Sequence, residues 1–341
     1  MQPRRHQLVK GYISLAEART AQANALDSAI PAIAAEVQAA QRANVLGGPG
    51  PIFLGIGASF AASAAAVWEL RSRQIHSLRL NAGEYPLPFP RSAHPIIGVS
   101  QSGKSSETLA VLKSVDQTYR LSVVNAKGSP IADLSRQNIS LGGIADSYAS
   151  TIGYTATIAA LGMIAESWDG GTIEPSWSSV ADAVRALESR LAAQKEELVG
   201  RLRHAQYVDC AAIASSVGSA EVGSLLLREI ARIPATGMST RQYLHGAMES
   251  AGLGTHIIFG DEREVQLATT LARAGHQTIL ISPLSVTPED HLSHISLPVL
   301  PATQRPLLEA IVMQTIAVET AVARGLDPDA FVFENHDTKV A

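Results

Sequence analysis

The chain has 341 residues, 46% of them hydrophobic and 17% charged, and a formal net charge of −4. That length suits two domains of ordinary size with substantial cores, and the acidic balance leaves no electrostatic footprint for nucleic acid, although a net value does not exclude a local basic patch. A single cysteine, Cys210, excludes an internal disulfide framework and any cysteine-based metal cluster.

Met1 to Lys10 is basic, but no apolar stretch follows, so no secretory signal is expected. Leu8 to Asn44 is alanine-rich with apolar residues at helical spacing, interrupted at Pro31, and reads as one or two helices. Gly47-Gly48-Pro49-Gly50-Pro51 marks a linker. Short apolar runs then read as strands at Pro51–Gly57, Ser77–Leu80, Pro95–Ser100, Tyr119–Val124 and Asn138–Leu141, most of them separated by helical segments. Strands alternating with helices imply a parallel, doubly wound sheet, in which ligands bind beyond the carboxyl ends of the strands. The uncharged run Ser147 to Ala165 is rich in Ser, Thr and Tyr, which argues against lipid exposure and for a helix buried between layers or subunits. An amphipathic helix is expected over Trp177–Leu202. The pattern then recurs, with strands at His204–Ala212, Thr255–Phe259, Thr278–Ser282 and His294–Val299. Helices are expected at Ser219–Ile233, Glu262–Ala274 and Arg305–Arg324. The tail from Gly325 lacks periodicity but keeps aromatics, which favours docking. A cytoplasmic, soluble protein is the default expectation.

The chemistry concentrates in Pro95-Ile-Ile-Gly-Val-Ser100-Gln101-Ser102-Gly103-Lys104-Ser105. An apolar run ends in hydroxyls and glycine just before a helical pattern, which is the sequence form of a phosphate cradle at a helix N-terminus. Gly98 to Ser105 also matches the Walker A pattern letter for letter. Three features favour a sugar-phosphate loop instead. An earlier strand already exists, Gly98 sits inside the apolar run, and the next strand ends at Asn125 rather than at a metal-binding carboxylate.

The stretches Gly57-Ala-Ser59, Ser100-Gln-Ser-Gly103, Ala149-Ser-Thr151, Leu227-Arg-Glu-Ile230 and Leu244-His-Gly246 occur in the order and rough spacing of double-SIS (sugar isomerase) proteins. Over residues 45 to 341 the chain resembles the isomerase half of glucosamine-6-phosphate synthase and its stand-alone phosphosugar isomerase and deaminase relatives. The resemblance implies an α/β fold of two SIS domains, each a doubly wound, flavodoxin-like parallel sheet in an α-β-α sandwich. The expected layout is a helical segment over residues 1–46, a phosphosugar-binding domain over 47–175, a second domain with its connecting helix over 176–324, and a tail over 325–341 that covers the active site.

The resemblance also implies roles. Ser100, Gln101, Ser102 and Ser105 take the phosphate, with Ser59 beside it and Ser150 near the sugar hydroxyls. Glu229 matches the family's base. His245 matches the histidine that opens the sugar ring, reaching in from the neighbouring subunit of a homodimer. Lys339 is the candidate for a C-terminal lysine over the site, and His336 competes with it in an ungapped alignment. The synthase's glutaminase domain is expected to be absent, and with it any use of glutamine-derived ammonia. No metal or other cofactor, nucleic acid or membrane is implied. Independently, one carboxylate reaching both C1 and C2 suits aldose–ketose proton transfer, and the apolar setting Leu225-Leu-Leu-Arg-Glu-Ile-Ala would raise the proton affinity of Glu229. The competing reading pairs Glu229 with Arg228 or Arg232 on a solvated face. Three departures put synthase activity in doubt: Val222 and Leu226 replace a glutamate and a lysine, Ala212–Ser216 replaces a glycine- and arginine-rich loop, and Lys104 replaces an acid. The expected function is therefore isomerisation, or deamination of an amino sugar, on a hexose or hexosamine 6-phosphate. A non-catalytic sugar-phosphate sensor is the alternative.

Overall fold

The computed structural model describes residues 11–126, 128–149, 151–333 and 337–340. The chain divides into two compact units, one comprising Gly11–Ala181, Ala302–Gln304 and Phe333–Ala341, the other Asp182–Pro301 and Arg305–Val332.

The first unit opens with α1 (Leu15–Arg42). Ser14 Oγ accepts from the Glu17 N–H at 3.2 Å and the Glu17 carboxylate accepts from the Ser14 N–H at 2.9 Å, a reciprocal cap that fixes the start. The helix runs through Pro31 unbroken, contrary to the expected interruption there. Proline removes only its own N–H from the ladder, and the buried stripe of Leu26, Ile30, Ile33 and Val37 keeps its register on either side. There follow β1 (Ile52–Gly55), α2 (Ala58–Ser72), β2 (Leu78–Asn81), β3 (Ile96–Ser100), α3 (Ser106–Ser114), β4 (Arg120–Val124), α4 (Pro130–Leu134), β5 (Gln137–Ser140) and α5 (Ile152–Ser167). The five strands form one parallel sheet in the order β2-β1-β3-β4-β5. Helices cover such sheets on both faces, so every residue of β1 and β3 is buried. The uncharged segment forms α5, packed against α1 and α2 and buried along its whole length. At its end the Glu166 carboxylate accepts from Trp177 Nε1 at 2.9 Å, the Glu174 N–H at 3.0 Å and Thr303 Oγ1 at 2.5 Å.

The second unit repeats the plan with most of α6 (Val180–Leu202), then β6 (Val208–Ala212), α7 (Val217–Glu229), β7 (Ala235–Ser239), α8 (Thr240–Leu244), β8 (Thr255–Phe259), α9 (Glu262–Arg273), β9 (Gln277–Ser282), β10 (Leu292–Ser296) and α10 (Arg305–Ala323). Its sheet is also parallel, in the order β10-β9-β8-β6-β7. Counted within each unit, both sheets read 2-1-3-4-5, the flavodoxin-like doubly wound order. The sequence reading omits β7. This edge strand contains Gly237 and has only its first residue buried, so it has no apolar run to show. One helix, α10, is long and apolar enough to cross a membrane, and 83% of its apolar window is buried inside the protein.

Candidate functional site

In a sheet of order 2-1-3-4-5, the strand order reverses between the first and third strands, and the crevice opens beyond their carboxyl ends. Here those strands are β1 and β3, which pair directly, with Leu54 opposite Gly98. β1 delivers Gly57 and Ser59, and β3 delivers Ser100 to Ser105. Gly57 has φ +57°, a turn that only glycine makes at little cost, and α2 begins without a side-chain cap, with half-buried Ser59 in its first turn.

The loop after β3 is held from several sides. Ser100 is buried, and its Oγ lies 2.9 Å from Ser105 Oγ, closing the neck. Gly103 has φ +66°, and its N–H donates to the Ser100 carbonyl at 3.2 Å. A Cβ at Gly103 would fall 2.0 Å from Ser129 Oγ. The Gln101 carbonyl accepts from the Asn125 N–H at 3.1 Å, and that of Gly103 from the Ile131 N–H at 3.1 Å. Ser102 Oγ accepts from the Lys104 N–H at 3.3 Å. Ser105 occupies the N-cap of α3, yet it makes no side-chain cap bond, because its hydroxyl turns to Ser100. The N-terminus of α3 is thus lined by uncharged hydroxyls and uncapped by its own N-cap side chain. That is an arrangement for an anion.

The neighbouring helix differs. Buried Asp146 caps α5 itself, accepting from the N–H groups of Thr151, Ile152 and Gly153, each at 2.9 Å, and from Thr151 Oγ1 at 2.8 Å. Burial raises its proton affinity, and the bonds from Thr151 pull it back down. α5 is thus capped by its own carboxylate, whereas the N-cap side chain of α3 makes no such bond. Gln101 lies against this start, since a Cβ at Gly153 would fall 2.9 Å from Gln101 Cγ. The structure also decides against the Walker reading. Gly98 is buried within β3, where a Cβ would meet Leu112 Cδ1 at 2.6 Å, so it makes room for α3 rather than for phosphate. Asn125 at the end of β4 clamps the backbone of Ile144 with both ends of its amide, at 2.7 and 2.8 Å.

The tail docks on this loop. Lys339 pairs antiparallel with Ser105, the Val340 N–H donates to the Lys104 carbonyl at 2.9 Å, and Ser106 donates its N–H to Thr338 and its hydroxyl to Asp337. Lys339 Nζ donates to Tyr12 Oη at 3.3 Å and lies 5.8 and 5.7 Å from the Tyr12 and Tyr148 ring centres, a cation–π pair of contacts. The structure therefore brings Ser100, Gln101, Ser102, Ser105 and Lys339 together, with Ser59 on the adjacent strand end. Ser150 and His336 lie outside the described residues. Asp146, Tyr12 and Tyr148 were not singled out in the sequence, and Asn125 was noted only as the end of its strand. Only Asp146 carries a local signal, as an acid just ahead of a long uncharged helix.

Glu229 and His245 belong to the second unit. Glu229 is the last residue of α7, half-buried, and burial pushes its carboxyl up to about 7. A helix C-terminus also disfavours a carboxylate. Among the described residues it makes no ion pair. Arg228 Nε donates instead to the Ala235 carbonyl at 2.6 Å, and Arg232 Nη2 to that of Ala330 at 2.9 Å, so the solvated-pair reading does not hold. His245 ends α8 and is exposed, next to Gly246 at φ +128°. Beneath α8, buried Tyr243 Oη lies 3.1 Å from His256 Nδ1, and His256 Nε2 reaches the Ala251 carbonyl at 3.3 Å. Among the described residues no group of three or more His, Cys, Asp or Glu is arranged to hold a metal.

No protein-family model matches the chain. It is 28% identical over 296 residues to the glutamine–fructose-6-phosphate aminotransferase (isomerizing) of Bradyrhizobium diazoefficiens, covering 80% of this chain and 48% of that protein. The chain thus spans about half the length of this curated relative. Among solved structures, the C-terminal domain of glucosamine-fructose-6-phosphate aminotransferase from Francisella tularensis superposes with a TM-score of 0.78 at 16% identity, covering 94% of this chain and 98% of that one. Tagatose-6-phosphate ketose/aldose isomerase from Escherichia coli gives 0.78 at 18%, with coverage of 94% and 98%. Glucosamine-6-phosphate deaminase from Thermotoga maritima gives 0.70 at 15%, with coverage of 92% and 96%. The chain is homologous to the isomerase (SIS) domain of glutamine–fructose-6-phosphate aminotransferase, and its two parallel five-stranded sheets have the fold of the phosphosugar isomerases.

Proposed function

We propose that this chain is a phosphosugar isomerase, or an amino-sugar-phosphate deaminase, acting on a hexose or hexosamine 6-phosphate. The observation that carries the reading is the α3 N-terminus at the switch point of the first sheet, which is bordered by Ser100, Ser102 and Ser105 and lacks an N-cap side-chain bond. Uncharged donors suit a phosphomonoester, since they bind the dianion while leaving release possible.

In the proposed course the Ser100–Ser105 loop and Gln101 hold the phosphate, with Ser59 and Ser150 near the sugar. His245 opens the ring by moving a proton between the ring oxygen and the anomeric hydroxyl. Glu229 then takes a proton from one of C1 and C2 and returns it to the other through an enediol or enolamine. A carboxyl whose proton affinity lies near neutrality serves as base in one half of that cycle and acid in the other. Lys339, on the tail docked against the loop, adds positive charge at the phosphate end. If the substrate is glucosamine 6-phosphate, the enolamine reprotonates at C1 to a C2 imine, and water hydrolyses that imine to fructose 6-phosphate and ammonia. We place the enzyme in the cytoplasm as a homodimer whose partner copy supplies His245.

One observation favours a second reading, a sensor that binds the sugar phosphate without turning it over. Val222 and Leu226, which replace a glutamate and a lysine of the synthase pattern, are buried and apolar, so α7 lacks two charged groups next to its proposed base. NMR of hexose and hexosamine 6-phosphates incubated with the protein separates the two. Ketose or ammonia should appear with at least one substrate, and Glu229→Gln should cut that turnover about 100-fold or more while ligand binding persists. Binding without any product across the panel would select the sensor.

A further inference from the structure

The second unit carries a basic cleft whose lining includes neither Glu229 nor His245. It has a volume of about 450 Å³ and is lined by Arg203, His204, Arg232, Ala323, Arg324 and Leu326. Four of the six lining residues are basic and none is acidic. Three helices end beside it, since Arg203 directly follows α6, Arg324 directly follows α10, and Arg232 lies three residues beyond α7.

Cations at helix C-termini ordinarily just offset the dipole, so that balance decides whether anything is left over. Each terminus is equivalent to about half a negative charge, about 1.5 in all. Three guanidiniums supply twice that, before any contribution from His204. Nor are they neutralised by side chains: among the described residues none of the three arginines pairs with a carboxylate, and Arg324 and Arg232 donate to main-chain carbonyls. Arg324 Nη1 donates to Arg203 O at 3.1 Å, and Arg232 Nη2 to Ala330 O at 2.9 Å. Arg232 Nε is buried and has no hydrogen-bond partner among the described residues. Arg232 also holds φ +53°, in the turn past α7 where the Ile233 N–H returns to the Leu227 carbonyl at 3.0 Å. Glycine is the usual occupant of that conformation.

We propose that this cleft is a second anion site, separate from the serine loop, that takes the phosphoryl group of a small phosphomonoester. Guanidiniums match phosphate oxygens with paired N–H donors, and Ala323 and Leu326 offer apolar contact to the rest of the ligand. The surplus charge is local, which is why a chain of net charge −4 can carry it.

The test is calorimetric titration with inorganic phosphate, glucose 6-phosphate and AMP, each on its own, at physiological ionic strength. Three proteins are compared: wild type, the loop variant Ser102→Ala/Ser105→Ala, and the cleft variant Arg203→Gln/Arg324→Gln. Wild type should bind two equivalents of at least one probe and each variant one, with the cleft variant weakening the second site about tenfold or more. The probe that fills the second site distinguishes phosphate alone from a sugar or nucleoside ester. Circular dichroism checks the fold, and Arg203→Gln alone, at an exposed side chain, provides a milder variant. A single equivalent that the loop variant abolishes and the cleft variant leaves intact overturns this proposal while preserving the proposed function. Two equivalents that survive the loop variant overturn the phosphate role of the serine loop instead.

Discussion

Glu229 and His256 are shifted by the same physical cause in opposite directions, because burial disfavours the charged form of each. For Glu229 the folded proton affinity, about 7, lies above its ordinary value of 4.5. The native state therefore loses stability as pH rises from about 4.5 to about 7 and is level above that. Activity moves the other way if the carboxylate is the base. The measured kcat/KM should climb with pH to a plateau past about 7, and a profile flat across this range would separate Glu229 from the proton transfer. His256 is pushed down to about 4 by burial, with the His276 ring nearby, Asp209 Oδ2 3.9 Å from Nδ1 and Tyr243 Oη bonded to it. Its neutral ring accepts from Tyr243 through Nδ1 while Nε2 donates to Ala251, so it ties down both flanks of the segment that carries His245. Stability from this group is full above pH 6.5 and falls by about 3 kcal/mol as pH drops toward 4. In denaturant titrations at stepped pH, His256→Gln should flatten that acid loss. An unchanged slope would mean that other groups drive it.

The two sheets share a topology, and they differ in what sits at equivalent strand ends. In the first unit the loop after its third strand, β3, presents Ser100, Ser102 and Ser105. In the second, the loop after its third strand, β8, leads into Asp261, which caps α9 in a reciprocal box with Glu264. Asp261 also pairs with Arg305 at 2.8 Å, and Arg305 continues to fully buried Glu309, which accepts from Ser216 Oγ at 2.8 Å and Ser219 Oγ at 2.6 Å. Burial raises the proton affinity of Glu309, and the Arg305 guanidinium draws it back down. That end of the second sheet is filled by the protein's own carboxylates, so of the two equivalent strand-end loops only the first is expected to take a phosphoryl group. The cradle depends on backbone shape as well as hydroxyls. Gly103→Ala forces a side chain into a left-handed turn and against buried Ser129, at a cost of roughly 1–3 kcal/mol. Thermal unfolding should show a lower midpoint, and calorimetry a loss of sugar-phosphate affinity. A variant that binds normally would show that the Ser100–Gly103 turn is not what shapes the cradle.

Across the whole chain, what the sequence reveals follows from how local each signal is. β1, β3 and β4 are legible because buried parallel strands are continuous apolar runs, and the serine loop is legible because its spacing sits at a strand-to-helix junction. β7 is not, because an edge strand needs no apolar run. The clamp of Asn125 on Ile144, the tie of Lys339 to Tyr12 and the link of Thr303 to Glu166 join residues 19 to 327 positions apart, and no local pattern encodes such partners. Glu229 shows the limit most clearly. Its motif is legible, but its release from Arg228 and Arg232 appears only once both arginines are seen on main-chain carbonyls. The most direct test of the account is proton NMR of a hexose 6-phosphate incubated with the protein in deuterium oxide. Wild type should wash deuterium into the C1 or C2 position, and Glu229→Gln should bind the same sugar with no exchange. Exchange at the wild-type rate in Glu229→Gln would contradict it.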